Sequence, residues 1–182
     1  ILFKNAAALE NLHRVDTVVL DKTGTLTTGK PVVTDVLPAS ADQKQLLQIA
    51  AALEEKSEHP FAKAILEKAG DLTHAPASDF ETLPGRGVTG LIGGIRYFGG
   101  NKRLMQQQGI FVPDYPQLAE QGKTPLYFAC QDGTYLGAIA AADVLKSDSV
   151  DAVAAMKRMH LDVVMLTGDN EKTAHSIAAA AG

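Results

Sequence analysis

The sequence predicts an α/β sheet domain interrupted by an inserted α+β domain. Two apolar, β-branched runs of strand length carry the first half of this prediction: Val15 to Leu20 near the start and Leu161 to Leu166 near the end. Each runs straight into a loop of hydroxyl residues, glycine and a carboxylate, as buried parallel strands do where α/β sheets place their ligands. The second half comes from the stretch between them, where the pattern changes to helices and glycine-turned hairpins. The boundaries fall where the pattern changes. Residues 1–31 and 143–182 form the incomplete α/β domain, and 32–142 the insert, built on an antiparallel sheet.

The elements follow in order. Residues 1–12 read as a helix or a linker entering the first strand. Thr28-Gly29-Lys30-Pro31 is expected to break the pattern before an extended Val32 to Leu37. Asp42 is placed to cap a helix from Gln43, in which Leu46, Leu47, Ile49, Ala50 and Leu53 have helical spacing. Ser57-Glu58-His59-Pro60 interrupts it, and Pro60 suits the first turn of a second helix ending near Ala69. Strands are expected at Phe80 to Leu83, Val88 to Ile92 and Ile95 to Phe98, the last two joined by a Gly93-Gly94 turn. A helix from Lys102 to Gln108 stops at Gly109, and a short helix covers Gln117 to Gln121. Leu126 to Cys130 and Tyr135 to Ala140 form a hairpin across Asp132-Gly133. A connection over Asp143 to Ser149, a helix from Val150 to Met159, the second α/β strand and a helix from Glu171 to Ala181 complete the chain.

Bulk properties narrow the function classes. The 182 residues carry 17 basic and 21 acidic side chains, a formal charge of −4 that offers no electrostatic footprint for nucleic acid. The lone Cys130 excludes an intrachain disulfide and, within an apolar run, reads as a small core residue. His13, His74, His160 and His175 lack metal-ligand spacing. No stretch approaches the roughly 18–20 apolar residues of a membrane helix.

The chemistry concentrates in Asp21-Lys22-Thr23-Gly24-Thr25-Leu26-Thr27. A carboxylate at a strand tip is a candidate nucleophile toward a phosphoryl group, giving an aspartyl-phosphate. The small residues after it can aim N–H groups and hydroxyls at that group. Thr167-Gly168-Asp169 repeats the arrangement after the second strand, so that one tip would carry the nucleophile and its neighbour the oxyanion donors.

The string Asp21 to Thr27 resembles the phosphorylation motif of P-type ATPases, and Thr167-Gly168-Asp169-Asn170 resembles that family's TGDN motif. The resemblance spans essentially the whole chain and implies a haloacid dehalogenase-like, Rossmann-like core. It implies catalytic roles for Asp21, Lys22, Thr23, Thr167, Gly168 and Asp169, with Thr167 and Gly168 on the phosphoryl oxygens and Asp169 near nucleotide and magnesium. Mg²⁺ would take a carboxylate oxygen of Asp21 and the backbone carbonyl of Thr23. Ser57 to Pro60 resembles the SEHP motif of heavy-metal (P1B-type) pumps. This implies an ATP site in which His59 stacks on or hydrogen-bonds to adenine and Glu54 accepts from its amino group. The bland alternative is an exposed histidine beside a helix capped by Ser57. Gly85-Arg86-Gly87-Val88 resembles the family's GxG loop, alternatively a plain turn. Gly100-Asn101 resembles its GN pair, with Asn101 alternatively a helix cap. Asp143-Val144-Leu145-Lys146 resembles its interdomain hinge, the lysine either steering phosphates or lying on a solvated connector.

The implied protein is a heavy-metal-exporting pump, with SEHP leaning toward copper(I) and zinc, cadmium, lead and silver left open. The implied partners are ATP, a metal ion held by membrane segments outside this chain, and a metallochaperone or N-terminal metal-binding domain. The start at Ile1 without methionine, the end at Gly182 and the family's downstream lysine and GDGxND loop make this an expected soluble piece on the cytoplasmic face of a membrane protein. Such a piece is not expected to turn over ATP alone. Two rivals remain: a haloacid dehalogenase-like phosphatase, which needs an acid/base where Thr23 stands, and a non-catalytic ATP-binding module.

Overall fold

The computed structural model describes residues 5, 6, 10, 12–168 and 171–182, and of Lys172 the backbone alone. Most of the expected helix or linker before Leu12, and Asp169 and Asn170 of the second motif, lie outside these residues. The chain divides into two compact units, Ile1–Gly29 with Leu145–Gly182, and Lys30–Val144.

The first unit is organised by two parallel strands, β1 (Thr17–Asp21) and β8 (Asp162–Leu166), paired in register from Thr17↔Asp162 to Asp21↔Leu166. Helices α5 (Ser149–Arg158) and α6 (Glu171–Ala181) flank β8 in sequence and pack on each other. The sequence predicts both strands buried on both faces. Instead they alternate, with Val18, Leu20, Val163 and Met165 half-buried and Val19, Val164 and Leu166 exposed. Among the described residues no element covers that second face.

The second unit is a six-stranded sheet in the order β2-β7-β6-β5-β4-β3, in which every pairing from β3 to β7 is antiparallel. Its strands are β2 (Thr27–Pro38), β3 (Ser78–Leu83), β4 (Gly87–Ile92), β5 (Ile95–Gly100), β6 (Thr124–Cys130) and β7 (Tyr135–Leu145). Helices α1 (Gln43–Glu54) and α2 (Pro60–Ala69) precede β3, while α3 (Lys102–Gln107) and α4 (Pro116–Glu120) link β5 to β6. Asp42 caps α1, its Oδ1 accepting from Gln45 N–H at 2.7 Å.

Both faces of this sheet are covered, and β6 shows why its sequence is a continuous apolar run. Phe128 joins the cluster of Leu46, Ala50, Leu53 and Ile65 from α1 and α2. Its neighbours Tyr127 and Ala129 join Leu104, Met105, Ile110 and Val112 on the other side. Successive side chains of a strand alternate faces, so a strand buried twice has no polar position. Cys130 at its end is buried and free.

Two expectations fail here. Thr28-Gly29-Lys30-Pro31 does not break β2, which runs unbroken from Thr27 to Pro38. β2 lies at the sheet's edge, where a proline's missing N–H interrupts no ladder. Likewise β7 extends to Leu145, so Asp143 and Val144 are strand and not connection.

Glycine is required where β4 and β5 cross. Gly87 and Gly100 are register partners, and a Cβ on Gly87 would stand 2.1 Å from the Gly99 carbonyl oxygen and 2.6 Å from the Gly100 Cα. Gly87 also has φ +149°, which L-residues rarely adopt. Gly87→Ala is therefore expected to destabilise the unit by about 3 kcal/mol or more in urea unfolding. Gly93→Ala, in open space at φ +59°, should cost only about 1 kcal/mol. Equal midpoints for the two variants would refute the close-packing account.

Candidate functional site

The parallel register sets the first group of residues. Asp21 is the last residue of β1 and stands opposite Leu166, the last residue of β8. Thr167 and Gly168 therefore leave the neighbouring strand beside the exposed Asp21. Lys22–Leu26 form a tight turn and not a regular helix: Thr23 is extended (φ −77°, ψ 120°) and Gly24 has φ +76°.

This turn is held from within by Thr27, fully buried at 0% exposure. Its Oγ1 donates to the Lys22 carbonyl at 2.9 Å and accepts from the Gly24 N–H at 3.4 Å, while its own N–H bonds to the same Lys22 carbonyl. From outside, the Leu26 carbonyl accepts from Lys146 N–H at 3.0 Å and from the buried Ser149 Oγ at 2.7 Å. The Lys146 Nζ donates to the Gly24 carbonyl at 2.7 Å. Thus Lys146, read from sequence as a phosphate guide or a solvated connector, is bonded to the Asp21 turn. Sequence reasoning misses Thr27 and Ser149 as ties; their signal is a hydroxyl beside apolar neighbours, which must find a partner when buried.

The second group lies wholly in the sheet unit. Glu54, His59, Gly85, Gly87, Gly100 and Asn101 line one cleft of about 630 Å³, with Phe61 and Arg86 also on its wall. Glu54 is 5% exposed, and its Oε2 has no hydrogen-bond partner among the described residues. Burial pushes its carboxyl above the ordinary glutamate range, partly offset by a hydrogen bond from Ser57. It sits three and seven residues after Ala51 and Leu47, on the buried face of α1. A carboxylate on an apolar helical stripe is the readable signal, since a buried polar group is the informative exception.

His59 is the N-cap of α2, a position that favours Ser, Thr, Asp or Asn. Its Nδ1 accepts from Phe61 N–H at 3.2 Å, and its ring meets the Phe61 ring edge-on with centroids 5.1 Å apart. Ser57 caps nothing in α2; its Oγ accepts from His59 N–H at 3.2 Å. An accepting Nδ1 carries no proton, so the ring proton sits on Nε2. Asn101 is the cap of α3, with Oδ1 accepting from Leu104 N–H at 3.1 Å, and its Nδ2 also donates to the Gly85 carbonyl at 2.9 Å. The one side chain caps the helix and ties down the Gly85 turn.

The haloacid dehalogenase-like hydrolase model matches residues 15–182. The chain belongs to this family. Within it, the chain is 42% identical over 189 residues to a copper-exporting P-type ATPase of Bacillus subtilis, a match that covers all of this chain and 23% of that protein. The crystal structure of a zinc-transporting PIB-type ATPase superposes with a TM-score of 0.85 at 34% identity, over 100% of this chain and 30% of the other. The isolated N-domain of a copper-transporting P-type ATPase superposes with a TM-score of 0.50 at 26% identity, over 61% of this chain and 96% of that domain. The haloacid dehalogenase-like chain therefore spans about a quarter of its curated relative's length. Among its described residues no helix is long and apolar enough to cross a membrane.

The buried Glu54 makes a pH prediction. An acid whose pKa is raised by folding ionises first in the unfolded state, so stability falls as pH rises through the window. That window opens at the unperturbed value of 4.5 and closes at the raised native value. Glu54→Gln removes this loss. Its melting temperature should exceed that of the wild type near pH 8, the gap shrinking toward pH 4. A gap independent of pH would show that Glu54 is not desolvated in solution.

Proposed function

We propose that this chain is the ATP-binding and phosphorylation region of a heavy-metal P-type ATPase, and that Asp21 is its phosphoryl acceptor. The observation that carries the reading is the buried Glu54 oxygen, without a hydrogen-bond partner among the described residues, in a cleft that His59 and several glycines also line. A buried acceptor without a partner favours a ligand bearing a donor, and the adenine amino group is one. Guanine presents a carbonyl at the same place, so ATP is favoured over GTP. The Nε2–H of His59 supplies a donor, and the Gly85 turn, with no atom within 4 Å of a would-be Cβ, leaves room for a flat ring. Asn101 holds that turn in place.

Chemistry belongs to the strand tips. An Asp21 oxygen attacks the γ-phosphorus, the bond to the β-phosphate oxygen breaks, ADP leaves, and an acyl-phosphate remains. Thr167 and Gly168, beside Asp21, are assigned to the phosphoryl oxygens, and Asp169 to the nucleotide and magnesium side. Lys22 belongs to the acceptor turn. Thr23, two residues past the nucleophile, cannot activate water as a carboxylate would, which supports a long-lived acyl-phosphate over a phosphatase. The donor set suits Mg²⁺: the exposed Asp21 carboxylate and the Thr23 carbonyl are hard oxygens. Mg²⁺ would offset the charge between carboxylate and phosphate.

We assign nucleotide binding to Lys30–Val144, and phosphorylation to Ile1–Gly29 with Leu145–Gly182. Copper(I) export is the transport reading, supported by SEHP and by the name of the Bacillus relative. The name of the solved zinc-transporting neighbour keeps zinc as the alternative. The whole pump would sit in a membrane with this region on its cytoplasmic face.

Calorimetric titration should give ATP binding that weakens about tenfold or more in His59→Ala and in Glu54→Ala, as expected for loss of a bond to a charged or buried partner. GTP should bind far less tightly. Equal binding of both nucleotides by all three proteins would sink the cleft assignment. In the whole pump, label from γ-labelled ATP should reach the wild type and not Asp21→Asn; label retained by that variant would remove Asp21 from its role. Limited proteolysis should leave a protected fragment of about 30–144, and its absence would contradict the inserted-domain assignment.

A further inference from the structure

We infer that Lys146 is a positioning residue for the Asp21 turn, acting through the Gly24 carbonyl; the inference rests on Asp21 being the phosphoryl acceptor. The turn follows no regular hydrogen-bond ladder, since Thr23 is extended and Gly24 has φ +76°. Gly24 has nothing within 4 Å of a would-be Cβ, so side-chain packing does not hold it there. Its carbonyl is instead held by the Lys146 ammonium at 2.7 Å. This bond is charge-assisted and stronger than a neutral one. The Lys146 backbone is itself fixed, its N–H donating to the Leu26 carbonyl at 3.0 Å, and Ser149 Oγ reaches the same oxygen at 2.7 Å.

The consequence lies in peptide geometry. In a planar trans peptide the carbonyl and the next N–H point in opposite directions. Fixing the Gly24 carbonyl toward Lys146 therefore aims the Thr25 N–H away from Lys146. A cradle for an anionic group works only when its N–H groups are preset in direction. Lys146 thus serves the reaction by orienting the backbone, with its charge already engaged by a carbonyl. It lies directly after β7, so the chain returning from the sheet unit grips the turn that precedes β2.

The test compares the wild type, Lys146→Met and Lys146→Arg in this chain. One readout is amide hydrogen exchange at residues 22–27 by NMR. The other is binding of beryllofluoride with Mg²⁺, followed by fluorine NMR with Asp21→Asn as the blank. Lys146→Met is expected to speed exchange in the turn by about tenfold and to weaken beryllofluoride binding by a similar factor, while β4–β6 amides stay unchanged. Lys146→Arg should restore both. Unchanged turn exchange in Lys146→Met overturns the inference. So does loss of protection throughout β1 and β8, which would make Lys146 a general stabiliser, or failure of arginine to restore the turn. If the wild type takes up no beryllofluoride while Lys146→Met still loosens the turn alone, Lys146 keeps its positioning role, and the acceptor role of Asp21 is decided by the labelling of the whole pump.

Discussion

The parallel pairing of β1 with β8 is the constraint on which the Asp21 region depends. Parallel strands need a long crossover between them, and here the connection contains an entire second unit. The in-register pairing from Thr17↔Asp162 to Asp21↔Leu166 makes both strands end at the same level. A slip of one residue would turn every side chain to the opposite face, carrying Asp21 to the other side of the sheet from its present neighbours. The turn after β1 is held by hydrogen bonds as well as by the buried Leu26 side chain. Thr27 closes it from inside, and Lys146 with Ser149 closes it from outside. Exposed loops seldom hold one conformation without such ties, and the acceptor role proposed for Asp21 requires one.

In the sheet unit the corresponding constraint is backbone contact. Gly87 and Gly100 approach so closely that no side chain fits between them, which brings the Gly85 turn and the Asn101 cap to the same edge of one cleft. Glu54 sits opposite in chemical character: a carboxylate on an apolar helix face, desolvated and lacking a partner for one oxygen among the described residues. Folding alone does not favour that arrangement, since a buried unpaired acceptor is costly. A binding partner with a donor would offset the cost, which is the physical basis of the recognition role proposed for Glu54. His59 follows the same logic, occupying a cap position where serine or aspartate would serve the helix better.

Much of this is legible in the sequence. The helical period of Leu46 to Leu53, the Asp42 cap, the Gly93-Gly94 turn and the stop at Gly109 are local effects, and each appears where the residues place it. The errors are equally physical. Thr28 to Pro31 look like a breaker because proline and glycine usually end a strand; at an edge the missing N–H costs nothing. The apolar β1 and β8 look buried on both faces, yet Val19 and Leu166 are 59% and 61% exposed. Composition reports the capacity for burial and not the presence of a covering element.

By itself the sequence determined which residues are the candidates for chemistry, because motif and side-chain type reside in short stretches: Asp21 to Thr27, Thr167 and Gly168, and Ser57 to Pro60. It also determined the alternation of α/β and α+β segments, through hydrophobic periods that each segment carries within itself. Tertiary structure alone decided which of these residues share a cleft, that Glu54 lost its solvent, and that Lys146 directs its charge to the Gly24 carbonyl. The reason is distance along the chain. Lys146 and Gly24 are separated by 122 positions, and no local propensity encodes a hydrogen bond whose partners have the whole sheet unit between them in the chain.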